Sequence, residues 1–270
     1  MLPGTDYDLA GKHVLVTGAS TGIGAALARG FAERGAVVGI CARRAELLAD
    51  VLADLRQHSP DSRSWQVDLA DLDGLDPFAR QVEAELGGVD VLVNNAGIPK
   101  RRGVLDLTPE VVEDVMAINY FSPIRLTLAL LPGLVERAGR IVNVSSIAAR
   151  LGPGTEAAYS ATKAALSAWS ESMAVDLALA GTDVKVHVVY PAIIDTELFH
   201  LPDNEETVAD LTMALPVEAM VEPVVEQLRT GALEVYVPEW FGDIVTGKFG
   251  NPDGFLEGSI AYLREQRASG

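Results

Sequence analysis

Short runs of β-branched and aliphatic residues alternate with amphipathic segments along most of this sequence. Seven runs are typical of strands, and they lie at His13–Thr17, Ala36–Cys41, Ser64–Val67, Val89–Val93, Arg140–Val144, Val184–Val189 and Leu233–Val237. The segments between them have helical periodicity, at Ile23–Arg34, Arg44–Gln57, Leu72–Leu86, Pro109–Arg137, Glu156–Ala180 and Val217–Arg229. Alternating strands and helices form a parallel sheet through right-handed crossovers. The sequence therefore predicts a doubly wound, seven-stranded α/β fold with helices on both faces.

The length of 270 residues fits a single α/β domain over residues 1–270. We expect a core at about residues 10–240 and a C-terminal extension at 239–270 whose sequence has no clear period. Proline lacks an amide hydrogen, so the last helix either begins near Glu222 or kinks at Pro223. The long connection from Pro191 to Pro216 follows the sixth strand, where loops shape the ligand crevice, and we interpret it as a substrate lid.

The net charge of −17 opposes binding to nucleic acid and to anionic membrane surfaces. The longest apolar run, around Leu126–Val135, contains Pro132 and is shorter than the roughly 20 residues that span a bilayer, so no transmembrane helix is expected. The segment Met1–Lys12 has no apolar region of the kind found in secretory signals. We therefore expect a cytoplasmic protein.

The single cysteine, Cys41, lies in an apolar run and is expected in the core. We assign no metal site.

The first predicted strand leads into a glycine-rich turn, Thr17–Gly24, and then directly into a helix. Glycines let the backbone turn tightly and approach a pyrophosphate, which lies at the positive end of the following helix. No Lys-Ser or Lys-Thr pair follows the last glycine, which excludes a P-loop. The segment is either a dinucleotide site or a purely structural turn. Its candidate cofactor contacts are Gly18, Ser20, Thr21, Gly22, Ile23 and Gly24.

The end of the second predicted strand indicates which dinucleotide binds. An acid there would bond the ribose 2′-hydroxyl of NAD, whereas Ala42 followed by Arg43 suits the 2′-phosphate of NADP. We predict NADP(H) with Arg43 as the phosphate partner. The alternative is that Arg43 and Arg44 are a solvated helix start. Asp68, directly after the third strand, accepts from the adenine amino group or caps the helix near Leu72.

Two further motifs follow the fourth and fifth predicted strands. Asn94-Asn95-Ala96-Gly97 ends the fourth strand at the carboxyl edge of the sheet, where Asn95, Ala96 and Gly97 are candidate cofactor contacts. Taken alone, this motif signals only a turn. Ser146 follows the fifth strand at the same edge, and we expect it to hold the substrate oxygen.

Tyr159 and Lys163 are four residues apart in a helical segment and therefore project from one face. A tyrosine with its ordinary pKa of about 10 is a poor base at neutral pH. We predict that the Lys163 ammonium, together with the positive charge of an oxidised nicotinamide, lowers the pKa of Tyr159. The Tyr-x-x-x-Lys spacing is common by chance. The interpretation therefore depends on the glycine-rich turn and on Ser146, thirteen residues before Tyr159.

Together these motifs resemble the short-chain dehydrogenase/reductase family of single-domain, Rossmann-type enzymes. The residues that carry the resemblance, which extends over about residues 10–240, are Thr17–Gly24, Asn94–Gly97, Asn119, Ser146 and Tyr159-x-x-x-Lys163. The resemblance implies that Tyr159 is the general acid/base, that Ser146 orients the carbonyl, and that Lys163 also binds the nicotinamide ribose. It implies that Asn119 holds a relay water. Without it, Asn119 is a polar residue on a helix surface or at a helix kink.

The segment after the sixth strand supplies the remaining candidate nicotinamide contacts, which are Pro191, Ile194 and Thr196. The family usually has Pro-Gly at this point, whereas this sequence has Pro191-Ala192. Alanine does not adopt positive φ freely, so the departure puts the geometry of the turn in doubt.

We expect a carbonyl reductase or alcohol dehydrogenase that moves a hydride between NADP(H) and a ketone or secondary alcohol. The alternative is a catalytically idle NADP(H)-sensing protein of the same fold, which would not need Tyr159. The resemblance also implies a homotetramer or dimer. In the helix Glu156–Ala180, the residues Trp169, Met173 and Leu177 form an apolar surface for a partner helix or for the core.

Three adjacent cations, Lys100-Arg101-Arg102, follow the fourth strand in a chain that is otherwise strongly acidic. A loop leaving that strand passes over the mouth of the site, so the cluster is a candidate attractor for an anionic substrate. The alternative is a solvated loop whose charges are offset by neighbouring acids such as Asp106 and Glu110.

Overall fold

The computed structural model describes residues 6–201, 204 and 211–269. The seven strands are β1 (His13–Thr17), β2 (Val37–Ala42), β3 (Arg63–Gln66), β4 (Val91–Asn94), β5 (Arg140–Val144), β6 (Lys185–Pro191) and β7 (Glu234–Val237). They form one sheet in the order β3-β2-β1-β4-β5-β6-β7, and every neighbouring pair is parallel. The predicted seven-stranded parallel sheet is confirmed, and each strand lies close to its predicted bounds.

Helices cover both faces of this sheet. They are α1 (Gly22–Glu33), α2 (Ala45–His58), α3 (Leu75–Leu86), α4 (Pro109–Met116), α5 (Ser122–Glu136), α6 (Ala148–Leu151), α7 (Ala157–Leu179), α8 (Val221–Thr230), α9 (Phe241–Gly250) and α10 (Pro252–Ser269). Helices α1, α2 and α8 pack over one apolar cluster, and α3, α5 and α7 pack over the other. Val14 and Val16 belong to the first cluster and Leu15 to the second, because successive strand side chains point to opposite faces. Cys41 is buried in the second cluster, which confirms it as a core residue.

The order of strands reverses at β1, which pairs with β2 on one side and with β4 on the other. In open α/β sheets, ligands bind outside the carboxyl ends of the strands at such a switch point. The glycine-rich turn after β1 and the Asn94–Gly97 motif after β4 therefore meet at this edge. The sheet topology, more than any single motif, brings the predicted site residues together.

The predicted helix Pro109–Arg137 is divided by a π-helical turn at Ala117–Phe121, which lies between α4 and α5. A π turn inserts one extra residue into a helix and is frequent at functional sites. It directs Asn119 into the interior, where its side chain is fully buried. The helix-surface alternative for Asn119 is therefore wrong, and a local helix irregularity at this residue is confirmed.

Among the described residues, one helical run, Pro109–Glu136, is long and apolar enough to cross a membrane by length and composition, with 39% of its most apolar part buried. Pro132 does not interrupt α5, so the break expected in this apolar run is not present, while the expectation of no transmembrane helix stays a prediction. Core helices of soluble proteins meet the same criterion, and α5 contributes Leu126, Leu130 and Leu134 to the core. The absence of a membrane partner stays a prediction.

The C-terminal half departs from the predicted elements in two places. Val217–Met220 forms a 3₁₀ turn before α8, and Pro223 lies in the first turn of α8, where its missing amide costs no intrahelical bond. The predicted helix start near Glu222 is thus confirmed. The extension at 239–270 had no readable period, yet its described part forms α9 and α10. Phe241, at the start of α9, lines a cleft at the carboxyl edge of the sheet.

Candidate active site

A cleft of about 550 Å³ runs along the carboxyl edge of the sheet. This volume lies within the range of roughly 300–1,000 Å³ typical of small-molecule sites. All predicted site residues line it except Gly24 and Asn119, which lie behind its wall. We call one end of the cleft the cofactor half. It is lined by the glycine-rich turn, Arg43, Arg44 and Asp68. We call the other end the substrate half, and its lining residues are Arg101, Leu151, Pro153, Glu156, Leu198, Phe199 and Phe241.

The glycine-rich turn requires glycine for reasons visible in its backbone. Gly18 and Gly22 have φ of 64° and 61°, a region that favours glycine. A Cβ on Gly18 would lie 2.7 Å from the Cα of Ala96, and one on Gly24 would lie 2.6 Å from the carbonyl oxygen of Gly18. The turn is therefore pressed against the segment after β4. Glycine leaves the cleft side of the turn open.

Hydrogen bonds join this turn to the Asn94–Gly97 motif. The Thr17 hydroxyl accepts from the amides of Asn95 and Ala96 at 3.0 and 3.1 Å. The Asn95 side-chain amide donates to the carbonyl oxygens of Thr17 and Gly18 at 3.0 and 3.2 Å. Asn95 lines the cleft as predicted, but its side chain holds the glycine-rich turn. Its predicted contribution to cofactor binding therefore includes shaping the neighbouring backbone.

The adenosine end of the cofactor half contains two arginines. Arg43 is exposed at the edge of the cleft, as the sequence predicted. Arg44 extends across the glycine-rich turn and donates to the Ser20 and Thr21 hydroxyls at 3.2 and 2.7 Å. It also forms an ion pair of 2.8 Å with Glu197. The alternative of a merely solvated helix start is wrong for Arg44, which sequence reasoning did not include among the site residues.

Asp68 lines the cleft beside this end, as predicted. Its carboxylate accepts from the amide of Ala70 at 3.0 Å. The alternative role as a helix cap is wrong, because Asp71 caps the following 3₁₀ turn by accepting from the amide of Gly74. Asp68 therefore remains a candidate acceptor for the adenine amino group.

Ser146 and Tyr159 meet where the two halves of the cleft join. The Ser146 hydroxyl accepts from the amide of Ala148 at 3.1 Å and also hydrogen-bonds Tyr159. Burial, and then the negative charge of Glu156, raise the pKa of Tyr159 to about 12. The Ser146 hydrogen bond and the Arg101 guanidinium oppose this rise. At neutral pH, Tyr159 therefore carries its proton.

Lys163 is almost fully buried, and its ammonium donates to the carbonyl oxygen of Val144 at 2.8 Å. Its nitrogen lies 5.8 Å from the centroid of the Tyr159 ring. Burial lowers the pKa of Lys163 to about 8. In this structure Arg101 is the cation that lowers the pKa of Tyr159, and the expected lowering by Lys163 together with an oxidised nicotinamide stays a prediction. The geometric prediction that the two side chains share one helix face at the cleft is confirmed.

Asn119 holds the loop after β4 against α7. Its side chain accepts from the amide of Ile98 at 2.8 Å and donates to the Ile98 carbonyl oxygen at 2.9 Å. It also donates to the Thr162 hydroxyl at 3.1 Å. A Cβ on Gly97 would come within 3.2 Å of the Asn119 oxygen and 3.3 Å of the Lys163 nitrogen. Asn119 thus positions backbone beside Lys163, and its role in holding a water stays a prediction.

The segment after β6 forms the opposite wall. Ala192 donates its amide to the carbonyl oxygen of Val237 at 2.9 Å, and it is not among the residues with positive φ. The doubt raised by alanine in place of glycine is therefore resolved, because the turn needs no left-handed residue. Pro191, Ile194 and Thr196 line the cleft as predicted. Of the predicted lid, residues 202–203 and 205–210 lie outside the described residues.

Within the Lys100-Arg101-Arg102 cluster, Arg101 differs from both sequence interpretations, whereas the charge of Lys100 is offset by an acid as the second one expected. Arg101 is 5% exposed and forms an ion pair with Glu156, and Lys100 forms a 2.9 Å ion pair with Asp114. Arg101 is therefore neither a solvated cation nor an uncompensated charge at the mouth of the cleft. Sequence reasoning missed Glu156 as a site residue. Its position three residues before Tyr159 was the available signal, because residues i and i+3 are neighbours on a helix.

Apolar side chains on α5 and α7 divide between core and surface. Met173 and Leu177 are buried, and Trp169 packs against the same cluster, so this set serves the core. Leu128, Val175 and Leu179 are 55%, 58% and 81% exposed. Val135 of α5 is 39% exposed as well, so both helices carry apolar side chains on their outer sides. Among the described residues, no group of three metal-ligand side chains comes together.

The family model described as short chain dehydrogenase matches residues 12–207. A short chain dehydrogenase of Pseudocercospora fijiensis is 37% identical over 194 residues, which are 70% of this chain and 62% of the relative, so the chain spans less than two thirds of that protein. The 3-oxoacyl-acyl-carrier-protein reductase FabG of Vibrio cholerae is 36% identical over 76% of this chain and 82% of its own length. A fatty acyl-CoA reductase of Mycobacterium tuberculosis is 36% identical over 79% of this chain and 74% of its own length.

Solved structures have the same fold. A short-chain dehydrogenase from Streptomyces avermitilis has a TM-score of 0.77 at 31% identity, covering 97% of this chain and 99% of its own. A short chain dehydrogenase/reductase from Burkholderia phymatum, in complex with NAD, has a TM-score of 0.83 at 20% identity, covering 92% and 96%. An alcohol dehydrogenase from Thermococcus sibiricus, complexed with 5-hydroxy-NADP, has a TM-score of 0.74 at 23% identity. The match covers 83% of this chain and 95% of that structure. Structures of this fold thus bind nicotinamide cofactors, and this chain belongs to the short chain dehydrogenase family of oxidoreductases.

Proposed function

We propose that this protein transfers a hydride between NADP(H) and a ketone or secondary alcohol, with Tyr159 as the general acid/base. The observation that carries the proposal is the meeting of Tyr159, Ser146 and Lys163 at one point of a cleft that begins at the glycine-rich turn. A nicotinamide, when bound, supplies or accepts the hydride. Membership of an oxidoreductase family supports the reaction class.

The cofactor half of the cleft fits a dinucleotide. Glycines at 18, 22 and 24 leave backbone exposed where a Cβ would meet neighbouring atoms or fill the cleft. The end of β2 presents Ala42, Arg43 and Arg44 in place of an acid, so an adenosine 2′-phosphate would meet cationic donors. We assign Arg43 as its main partner, with Arg44 adjacent. Tyr159, Lys163, Pro191, Ile194 and Thr196 would surround the nicotinamide end.

The proton chemistry follows from the side chains present. In reduction, the Ser146 hydroxyl donates to the carbonyl oxygen, and the Tyr159 hydroxyl transfers its proton to the same oxygen. A raised pKa keeps Tyr159 protonated at neutral pH, which suits it to act as an acid in this direction. In oxidation, the tyrosinate accepts the alcohol proton. Lys163 would bind the nicotinamide ribose, and Asn119 supports the neighbouring backbone.

The test is a screen of ketones and secondary alcohols against NADPH, NADP⁺, NADH and NAD⁺, followed by the absorbance of the reduced nicotinamide. We expect turnover of at least one ketone with NADPH, and its loss in Tyr159→Phe. Tyr262→Phe is the matched control, because it removes the hydroxyl of an exposed tyrosine on α10. Cofactor binding without turnover across the panel would instead indicate a sensing protein.

The proposal includes association of the chain into a dimer or tetramer in the cytoplasm. The exposed apolar side chains of Leu128, Val175 and Leu179 support association, since their burial against a partner would remove apolar area from water. Light scattering at micromolar concentration tests this part. A monomer would contradict it and leave the proposed reaction unaffected.

A further inference from the structure

A buried ion pair that the proposed proton transfer does not use lies in the substrate half of the cleft. The side chains of Arg101 and Glu156 are only 6% and 10% exposed, and the Nε of Arg101 donates to the Glu156 carboxylate. The pair joins the loop after β4 to the residue directly before α7. Both residues line the cleft. Burying two charges is costly, so their presence beside Tyr159 calls for a role.

Arg101 also holds the segment after β6. Its Nη1 donates to the carbonyl oxygen of Leu198 at 3.1 Å, and its guanidinium carbon lies 4.5 Å from the centroid of the Phe199 ring. Asn204 donates to the same Leu198 oxygen at 2.8 Å and accepts from the Arg101 amide at 3.1 Å. Leu198 and Phe199 form an apolar wall of the substrate half. The position of this wall therefore depends on Arg101.

The charges of the pair offset each other at the reacting centre. Glu156 raises the pKa of Tyr159 and Arg101 lowers it. Ser146 and Lys163 are the other polar groups that face Tyr159. With both members present, the substrate half offers no uncompensated cation to a substrate. A carboxylate entering it would lose its hydration without gaining a free cation as a partner, because Glu156 already occupies Arg101.

We propose that Arg101 and Glu156 are a specificity-determining pair, which positions the apolar wall over the substrate and excludes substrates that carry a negative charge near the reacting carbonyl. The inference rests on the proposed function and names its substrate class, an uncharged and apolar ketone or secondary alcohol. Arg101 and Glu156 act through the wall and through local charge, and are positioning residues for the reaction.

The first test compares a neutral apolar ketone with the same ketone bearing a terminal carboxylate. The wild-type protein is expected to favour the neutral ketone in kcat/KM by about tenfold or more, since burying a carboxylate that finds no free cation is costly. Glu156→Gln leaves Arg101 uncompensated, so this preference should fall by about tenfold or invert. Arg101→Met leaves Glu156 uncompensated and should strengthen the preference. The double variant should return towards the wild-type ratio.

The second test is the pH dependence of alcohol oxidation, in which Tyr159 must lose its proton. Removal of Glu156 takes away an anion, so the rising limb of log(kcat/KM) should move to lower pH in Glu156→Gln. It should move to higher pH in Arg101→Met, and the double variant should lie between them. A pair that only stabilises the fold would lower the rates without moving the limb in opposite directions.

Asp114→Asn is the matched control, because it breaks the ion pair between Lys100, the neighbour of Arg101 in the loop after β4, and Asp114 of α4. It should change neither the substrate ratio nor the pH profile. If Arg101→Met does not fold, Arg101→Lys replaces it. Lysine keeps the charge but lacks the separate Nε and Nη1 donors that reach Glu156 and Leu198, so KM should rise while the pH profile stays in place.

Either of two results overturns the inference while leaving the proposed function in place. One is a wild-type preference for the carboxylate ketone. The other is an unchanged substrate ratio in Glu156→Gln. A wild-type protein that binds NADPH but reduces neither these ketones nor any other contradicts the proposed function and this inference together.

Discussion

In the cofactor half of the cleft, the walls are mostly backbone and short side chains at the ends of neighbouring strands. In the substrate half they are longer side chains from four segments, around residues 101, 151–156, 198–199 and 241, which are far apart in the chain. The first half is built from local turns on the sheet edge, and its shape follows from glycine torsion angles. The second half is assembled by contacts such as Arg101 with Glu156, 55 residues away. The candidate catalytic residues Ser146, Tyr159 and Lys163 lie where the cofactor half and the substrate half meet.

The largest effect is expected at this junction. Tyr159→Phe removes the transferable proton and should reduce turnover by about a hundred- to ten-thousandfold, the usual range for a general acid/base. NADPH binding, measured by fluorescence titration, should be nearly unchanged. Retention of more than about a tenth of the activity would contradict the assigned role, since that loss is below this range.

The next largest effect concerns the adenosine end of the cofactor half. A charge-assisted bond to a 2′-phosphate stabilises binding by about 1.5–3 kcal/mol, so NADPH should bind roughly ten- to a hundredfold more tightly than NADH. Ala42→Asp combined with Arg43→Leu should shift the preference towards NADH. Arg44→Leu, measured alone, reports whether the second arginine shares the phosphate. Equal affinities of the wild-type protein for both cofactors in calorimetric titration would remove the basis of the NADP(H) prediction.

A smaller effect sharpens the contrast by testing backbone alone. In Gly18→Ala, the new Cβ would lie 2.7 Å from the Cα of Ala96, a clash that must displace the turn. Gly181→Ala is the matched control, because Gly181 has a similar φ of 71° and a Cβ added there would meet no neighbouring atom within 4 Å. Both variants should lose about 1 kcal/mol of unfolding free energy from strain at positive φ, and Gly18→Ala should lose more because of the clash. Only Gly18→Ala should also weaken NADPH binding, and equal affinities in the two variants would show that the close approach is unimportant.

The smallest effect is a pH dependence of stability that arises from Lys163. Its pKa is lowered from 10.5 to about 8 by burial, so between these values the unfolded chain binds more protons than the folded chain. Stability from this group therefore rises with pH through that window. Lys163→Met should lack the rise, and the difference in unfolding free energy between the two proteins should grow in favour of wild type from pH 8 to 10. A constant difference in urea denaturation would contradict the lowered pKa.

The fold was predictable because its signals are local. Period-2 and period-3.6 apolar patterns located the strands and most helices, and alternation of the two indicated the parallel sheet. The features that the sequence did not predict depend on contacts with residues outside their own segment. The π turn at Ala117–Phe121 accommodates Asn119 between the loop after β4 and α7, and nothing in its own periodicity indicates it. The helices α9 and α10 likewise have no clear sequence period.

The sequence by itself determined the sheet, the glycine-rich turn and the spacing of Ser146, Tyr159 and Lys163, because backbone torsion and side-chain periodicity are set by residues close in the chain. Tertiary structure alone decided that Arg44 crosses the glycine-rich turn and that Arg101 is buried against Glu156. A run of three cations has the same sequence whether it faces water or a carboxylate. Whether the charge of Arg101 is neutralised depends on its burial and on the position of Glu156, a distant acid. The net charge of the substrate half depends on the same contact.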